Sequence, residues 1–233
     1  MKFTIVFDNY PYSILLRTGF GFACVVETGD RKILFDTGSD GGVLLNNLSV
    51  VDISPQEIGT VVISHNHWDH IDGLQDFLRV NSDIDLYVPV SFPDHFKAGV
   101  KKSGVRLIEV DESCRICDGI YSTGEMRGIM NEQSLICKTD QGSVVITGCA
   151  HPGIVKIIKR AIALHGPVVL AMGGFHLRDK RQSSIKGIVQ LFKELGVGEV
   201  CPSHCTGDDA RSLFQKIYGQ HCILGGVGST FNF

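Results

Sequence analysis

The spacing of apolar positions changes period along this chain, and each change marks an element. Lys2-Phe3-Thr4-Ile5-Val6-Phe7 alternates and then stops at Asp8-Asn9, which predicts a strand. Residues 22–27 and 32–35 are strand-like and flank Thr28-Gly29-Asp30-Arg31, whose Gly-Asp pair predicts a hairpin turn. Residues 41–48 suit a short helix, 60–63 a buried strand, and 71–79 a helix with Leu74, Phe77 and Leu78 at helical spacing. Residues 86–90 and 106–110 are further strands with a helix between them.

A second hairpin follows, residues 134–138 and 143–147 joined by Thr139-Asp140-Gln141-Gly142. Then strand and helix alternate: helix 154–164, strand 168–172, helix 183–195, strand 199–202, helix 208–218. Hairpins in both halves, followed by apolar strands and amphipathic helices, predict two sheets packed face to face with helices outside. No fixed-period repeat or linker composition interrupts the pattern, so residues 1–233 are expected to form a single domain.

Composition narrows the function classes. With 43% hydrophobic residues in 233, the chain can bury a substantial core. A net charge of -3 with mixed signs lacks the footprint of a nucleic-acid binder, which makes a small molecule the expected partner. The N-terminal strand lacks the pattern of a signal peptide, and no stretch reaches the roughly 18 apolar residues of a membrane span. A cytoplasmic protein is expected. Its eight cysteines are then expected to be thiols; Cys114-Arg115-Ile116-Cys117 has a second pair for a structural zinc site only if Cys201 and Cys205 supply it.

The histidines carry the chemistry. Four apolar strands run into polar clusters at their C-terminal ends: Val61-Val62-Ile63-Ser64 into His65-Asn66-His67-Trp68-Asp69-His70, and Val144-Val145-Ile146-Thr147-Gly148 into Cys149-Ala150-His151. Likewise Val168-Val169-Leu170-Ala171-Met172 leads to Gly173-Gly174-Phe175-His176, and Glu199-Val200-Cys201-Pro202 to Ser203-His204-Cys205. Six of the nine histidines lie in these clusters, and loops at one sheet edge converge on a shared crevice. In an extended turn His65 and His67 point the same way and can grip one ion, while Asp69 and His70 curl onto the following helix start toward a second. Imidazole and carboxylate donors suit Zn²⁺, and also Mn²⁺ or Fe²⁺.

The His-Xaa-His-Xaa-Asp-His signature, with Ile71-Asp72-Gly73-Leu74 after it and Leu34-Phe35-Asp36-Thr37-Gly38 upstream, resembles the metallo-β-lactamase superfamily. That resemblance implies a four-layer αββα sandwich, of the α/β or α+β class, with a two-metal site at one sheet edge and Asp36 supporting the ligands from behind. Thr123-Gly124-Glu125, Thr147-Gly148-Cys149-Ala150-His151-Pro152-Gly153-Ile154, Gly173-Gly174-Phe175-His176-Leu177 and Pro202-Ser203-His204-Cys205-Thr206-Gly207 look like the branch labelled dihydropterin ribofuranosylaminobenzene phosphate synthase-like. Many relatives have a histidine in a Thr-Pro-Gly-His turn and a bridging aspartate in a Gly-Asp turn. Here Glu125 and Cys149 stand near those places, and His151 can replace the missing histidine.

The resemblance thus implies His65, His67 and His151 on one metal and Asp69, His70 and His204 on the other, with Cys149 a further candidate ligand and Glu125 a supporting residue. Two divalent ions, Zn²⁺ in the first place, lower the pKa of bound water from about 15.7 to about 7. Hydroxide is then the expected nucleophile on an ester or phosphoester of a small metabolite that can carry a phosphate, a phosphodiesterase-like reaction. Asp69 would orient the nucleophile. His176 is read as a substrate contact or proton donor, Arg178 and Arg181 with Lys180 as a phosphate rim, and Trp68 as packing. Two other readings stand beside hydrolysis: the pterin-pathway transferase of the branch label, and a diiron redox centre or metal-bound sensor without turnover.

Overall fold

The computed structural model describes residues 1–233, which gather into two compact units: Met1–Asp111 with Gly226–Phe233, and Glu112–Gly225. In the first, the chain runs β1 (Lys2–Asp8), β2 (Phe22–Thr28), β3 (Arg31–Phe35), α1 (Gly41–Val50), β4 (Ile58–Val62), α2 (Trp68–Ile71), α3 (Leu74–Val80), β5 (Asp85–Pro89), α4 (Asp94–Lys101) and β6 (Arg106–Val110). Strands β1, β2 and β3 pair antiparallel, β2 with β3 because the Thr28–Arg31 turn is too short for anything else. From β3 to β6 every connection carries a helix and the pairing is parallel. The C-terminal ends of β3 and β4 therefore open on the same edge.

Leu44 and Leu48 of α1 and Leu74, Phe77 and Leu78 of α3 bury one face of this sheet together with Val61, Ile63, Leu86 and Val88. Helix α1 starts where the Asp40 side chain accepts the Val43 N–H at 2.9 Å. Further along, buried Asn47 turns its amide inward. Its Nδ2 donates to the carbonyls of Val6 (2.9 Å) and Arg17 (2.8 Å), and its Oδ1 accepts the Arg17 N–H (2.9 Å), pinning the long β1–β2 connection.

The helix expected over 71–79 is corrected to two short ones, α2 and α3, broken at Asp72-Gly73. The cause lies in the loop after β3. Both the N–H and the hydroxyl of Thr37 donate to the His70 carbonyl, at 2.9 and 2.8 Å, and the Gly73 N–H donates to the Gly38 carbonyl at 3.1 Å. A Cβ on Gly73 would sit 2.1 Å from the Thr37 carbonyl oxygen, so only glycine lets the chain pass this close.

The second unit contains β7 (Cys114–Cys117), β8 (Ile120–Ser122), β9 (Leu135–Thr139), β10 (Gly142–Thr147), α5 (Ile154–His165), β11 (Val168–Gly174), α6 (Gln182–Glu194), β12 (Glu199–Ser203) and α7 (Asp208–Tyr218). Strands β7 to β10 are antiparallel, and β10, β11 and β12 are parallel, so the last three end on one edge. Phe175, Phe192 and Phe214 form a ring cluster with centroids 5.4–5.7 Å apart, packing α6 and α7 behind that edge. The chain then returns to the first sheet, where β13 (Thr230–Asn232) pairs antiparallel with β1.

Strands β7, β8 and β13 were not among the expected elements. They are three or four residues long, and pairing with neighbours, not local pattern, makes them strands. None of the eight cysteines is in a disulfide, and no helix is long and apolar enough to cross a membrane. Replacing Asn47 by alanine should strand three buried or half-buried backbone groups; we expect a loss of about 2–4 kcal/mol in denaturant unfolding, and a loss within error would show that water satisfies them.

Candidate metal centre

In the first unit the centre is organised by one carboxylate. Asp36 follows β3 in a left-handed conformation (φ 57) and is fully buried. Its Oδ1 accepts the Ser64 N–H at 2.7 Å, and its Oδ2 accepts the Ser64 hydroxyl at 2.7 Å and His70 Nδ1 at 2.7 Å. Since a carboxylate only accepts, the single Ser64 hydroxyl proton is committed to Asp36. The contact between Ser64 Oγ and His65 Nδ1 (2.8 Å) must then be donated by the histidine. Both His65 and His70 consequently carry their proton on Nδ1 and a lone pair on Nε2.

Those lone pairs meet other donors. His65 Nε2 lies 3.1 Å from His67 Nδ1, and His70 Nε2 lies 3.6 Å from Asp69 Oδ2. The His65 and His70 rings are 4.3 Å apart. Two nitrogens on a tetrahedral zinc, each at about 2.0–2.1 Å, are separated by roughly 3.3 Å, so the His65–His67 pair has the span of two ligands on one cation. The donor set fits a divalent metal by chemistry and by tautomer. The fold holds it there: the Asp69 carbonyl lies 2.2 Å from where a Gly21 Cβ would be, and Trp68 stacks on Phe20 at 5.6 Å while remaining 55% exposed.

In the second unit a second carboxylate plays the corresponding part. Buried Glu132 accepts three successive backbone N–H groups, those of Cys149 (3.0 Å) and Ala150 (2.9 Å) on Oε1 and that of His151 (2.7 Å) on Oε2. This shapes the turn after β10, where Ala150 is left-handed (φ 61). The neighbouring ends close on it. A Cβ on Gly173 would be 2.1 Å from the Thr147 carbonyl oxygen, and one on Gly174 2.3 Å from that of Gly148. Thr206 Oγ1 accepts the Phe175 N–H at 3.0 Å, tying the turn after β12 to the turn after β11.

His151 and His176 thus come together with ring centroids 4.4 Å apart. His204 is buried at the end of β12 with φ 47, and Cys205 beside it donates its thiol to the Cys149 carbonyl at 3.6 Å. A hydrogen bond with Cys205 raises the pKa of His176 above the ordinary histidine value, against partial desolvation. Burial works to raise the Cys205 thiol, but hydrogen bonds with Cys149 and His176 and the charge of His204 outweigh it and hold it well below the usual thiol range.

The other expected residues fall in different places. Glu125 accepts the Asn131 side-chain amide at 2.7 Å; the carboxylate on the Cys149–His151 turn is that of Glu132. Arg178 and Arg181 are exposed, and Arg178 runs against Gly207, whose Cβ would lie 2.7 Å from its Cα. His176 does not cap a helix, since α6 begins after Arg181. Ser64 and Glu132 were not read as site residues. Ser64 stands next to His65 and is recognisable once the Asp36 pairing is known; Glu132 lies 17 residues before Cys149 in an irregular loop that carries no motif.

These features define a class: a mixed α/β fold with histidine and carboxylate clusters at the ends of parallel strands. Residues 16–158 match the metallo-beta-lactamase superfamily, and the chain belongs to that superfamily. A solved metal-dependent hydrolase of the beta-lactamase superfamily, Tm1679, shares its fold with a TM-score of 0.83 at 25% identity, over 100% of this chain and 99% of that one. The 7,8-dihydropterin-6-methyl-4-(beta-D-ribofuranosyl)-aminobenzene-5'-phosphate synthase of Methanocaldococcus jannaschii is 29% identical over 258 residues, covering 90% of this chain and 88% of that protein. The exodeoxyribonuclease WalJ of Streptococcus pneumoniae is 32% identical over a shorter stretch of 79 residues, 34% of this chain and 29% of its own.

Asp36→Asn should put an amide where Ser64 and His70 require an acceptor. Metal affinity is expected to fall about 10–100-fold in titrations against a competing chelator, and unchanged affinity would dissociate the tautomers from binding. Glu132→Gln places an NH₂ donor against one of three N–H groups. It should cost about 1.5–3 kcal/mol in thermal or denaturant unfolding, and an unchanged stability would show that the turn holds without the charge.

Proposed function

We propose that this protein is a metal-dependent hydrolase with a dinuclear centre, built from the ligand set that the superfamily resemblance implies. His65, His67 and His151 would hold one ion and Asp69, His70 and His204 the other. The observation that supports this best is the Asp36–Ser64 hydrogen-bond pair, which commits His65 and His70 to the tautomer that metal ligation needs. Superfamily membership supports the same reading. Divalent ions at such donors supply Lewis acidity and make water a nucleophile near neutral pH.

The chain's own residues account for the rest of the reaction. Asp69, in the first turn of α2, offers a carboxylate beside His70 that can orient water and accept its proton. Arg178 and Arg181, exposed after β11, present guanidinium forks that suit a phosphate. The substrate class is an ester or phosphoester of a small metabolite that can carry a phosphate. Similarity to an exodeoxyribonuclease favours phosphoester chemistry, while the net charge of -3 argues against a long nucleic-acid track.

A second reading rests on the similarity to a dihydropterin synthase over nearly the full chain. In that case the same cations would support condensation of a pterin with a ribofuranosylaminobenzene phosphate. The test is turnover of a nitrophenyl phosphodiester by the zinc- or manganese-loaded protein, compared with Asp69→Ala. Hydrolysis predicts measurable turnover that the variant loses at least 100-fold together with metal. Full metal content and full activity in Asp69→Ala would contradict the mechanism, and condensation without ester cleavage would select the synthase reading. The double variant Arg178→Ala, Arg181→Ala should raise KM for phosphorylated substrates several-fold and leave that for uncharged esters; an equal effect on both would remove the phosphate rim.

A further inference from the structure

The chain has one tryptophan, and it stands inside the turn that carries His65, His67, Asp69 and His70. Trp68 is the first residue of α2, between His67 at the N-cap and Asp69. A ring of this size is highly buried on average, yet 55% of Trp68 is exposed. One face is covered, by the Phe20 ring with centroids 5.6 Å apart and planes 18° apart, an offset stack. Phe20 is itself 41% exposed, so the pair presents a flat apolar surface to water. We infer, resting on the hydrolase reading above, that Trp68 backed by Phe20 is a stacking platform for a planar aromatic ring of the substrate. The substrate class narrows accordingly to an aryl or heteroaryl ester or phosphoester.

Topology puts the platform where the ligands are, wholly within the first unit. Strand β1 is antiparallel to β2 and β2 to β3, so β1 and β3 run the same way. The connection 9–21 therefore leaves and re-enters the sheet at the edge where β3 and β4 end. Tyr12, Ile14, Leu15 and Phe20 of that connection, with Trp68, are five of the eleven large apolar side chains exposed in the whole chain. Exposed apolar surface is thus concentrated on the two segments at this edge, which marks a place where something binds.

The platform is also built in advance. The Gly19 N–H donates to the Asp8 carbonyl at 3.1 Å and the Gly21 N–H to Asn9 Oδ1 at 2.9 Å, pinning the chain on both sides of Phe20. Gly21, at φ 142, brings that segment against the Asp69 carbonyl, so the two rings are fixed to one another through backbone as well as through their stack. A rigid aromatic pair accepts a further ring at little ordering cost. Position decides the occupant. Successive Cα atoms are about 3.8 Å apart, so a group held by His67 and Asp69 and a ring on Trp68 are within the reach of one small molecule. A protein surface seated there would instead cover the ligand turn and shut it off from substrate. The packing expected of Trp68 is thus only part of its role: one face packs on Phe20 and the rest of the ring receives a ligand.

Because Trp68 is the only tryptophan, its emission reports on the platform directly. The full chain, loaded with zinc, is titrated with phenylphosphonate and with methylphosphonate, non-hydrolysable probes that share one anionic head, and binding is followed by calorimetry and by tryptophan emission. Phenylphosphonate should bind about 10-fold more tightly and shift the emission, the scale of one ring stacking on an aromatic side chain. Trp68→Leu should abolish the preference with zinc content unchanged, and Trp68→Phe should restore most of it. Phe20→Leu, which leaves the emitting ring in place, should weaken it. Equal binding of the two probes with unmoved emission, or a preference that survives in Trp68→Leu, would overturn the platform and leave the hydrolase reading standing. Binding of neither probe would overturn that reading and the platform with it. Emission that shifts with protein concentration, before any probe is added, would assign the surface to a second copy of this chain and overturn the platform.

Discussion

The arrangement of the first unit depends on the buried carboxylate of Asp36. A carboxylate with no exposed surface is strongly unfavourable unless both of its oxygens find donors. Here the donors are the Ser64 N–H and hydroxyl and the His70 imidazole. Satisfying the carboxylate therefore joins the ends of two parallel strands to the helix that follows, and in the same stroke settles the protonation of two histidines. Structure and chemistry are not separate layers here. The hydrogen bonds that make the carboxylate tolerable are those that turn His65 and His70 into ligands.

Glu132 repeats the arrangement in the second unit with backbone instead of side-chain donors. Both carboxylates act at the C-terminal ends of parallel strands, where the chain leaves the sheet and its backbone groups need new partners. Of the five non-glycine residues with positive φ, Asp36, Ala150, His176 and His204 belong to these turns. Such conformations persist only where surrounding interactions over-determine them. Here those interactions are the two carboxylates, the Thr206 hydroxyl and the glycines that let adjacent strand ends close up.

Much of this was legible in the sequence, and what was not has a physical reason. The two hairpins, the later alternation of strand and helix, and the polar clusters after β4, β10, β11 and β12 depend on local pattern, which the chain displays openly. The break between α2 and α3 depends on Thr37 and Gly38, more than thirty residues away, and helical spacing through Leu74, Phe77 and Leu78 masks it. Strands β7, β8 and β13 exist because of their partners. In the site, the signature from His65 to His70 announced itself, and Asp36 came with the motif around it. Glu132 was invisible, since nothing local distinguishes a glutamate that will be buried under three N–H groups from one that will face water. Cys205 is legible in the sequence only as a conditional partner of Cys201 and a member of the motif after β12; the fold sets it beside Cys149 and His176.

The central claim is that the histidine and carboxylate donors serve a dinuclear metal centre, and the most direct measurement of it is X-ray absorption at the metal edge of zinc-loaded protein. The account predicts a first shell dominated by imidazole nitrogen and carboxylate oxygen, with a metal–metal scattering path at roughly 3.5–4 Å. An oxygen-rich shell with no metal–metal path would contradict it.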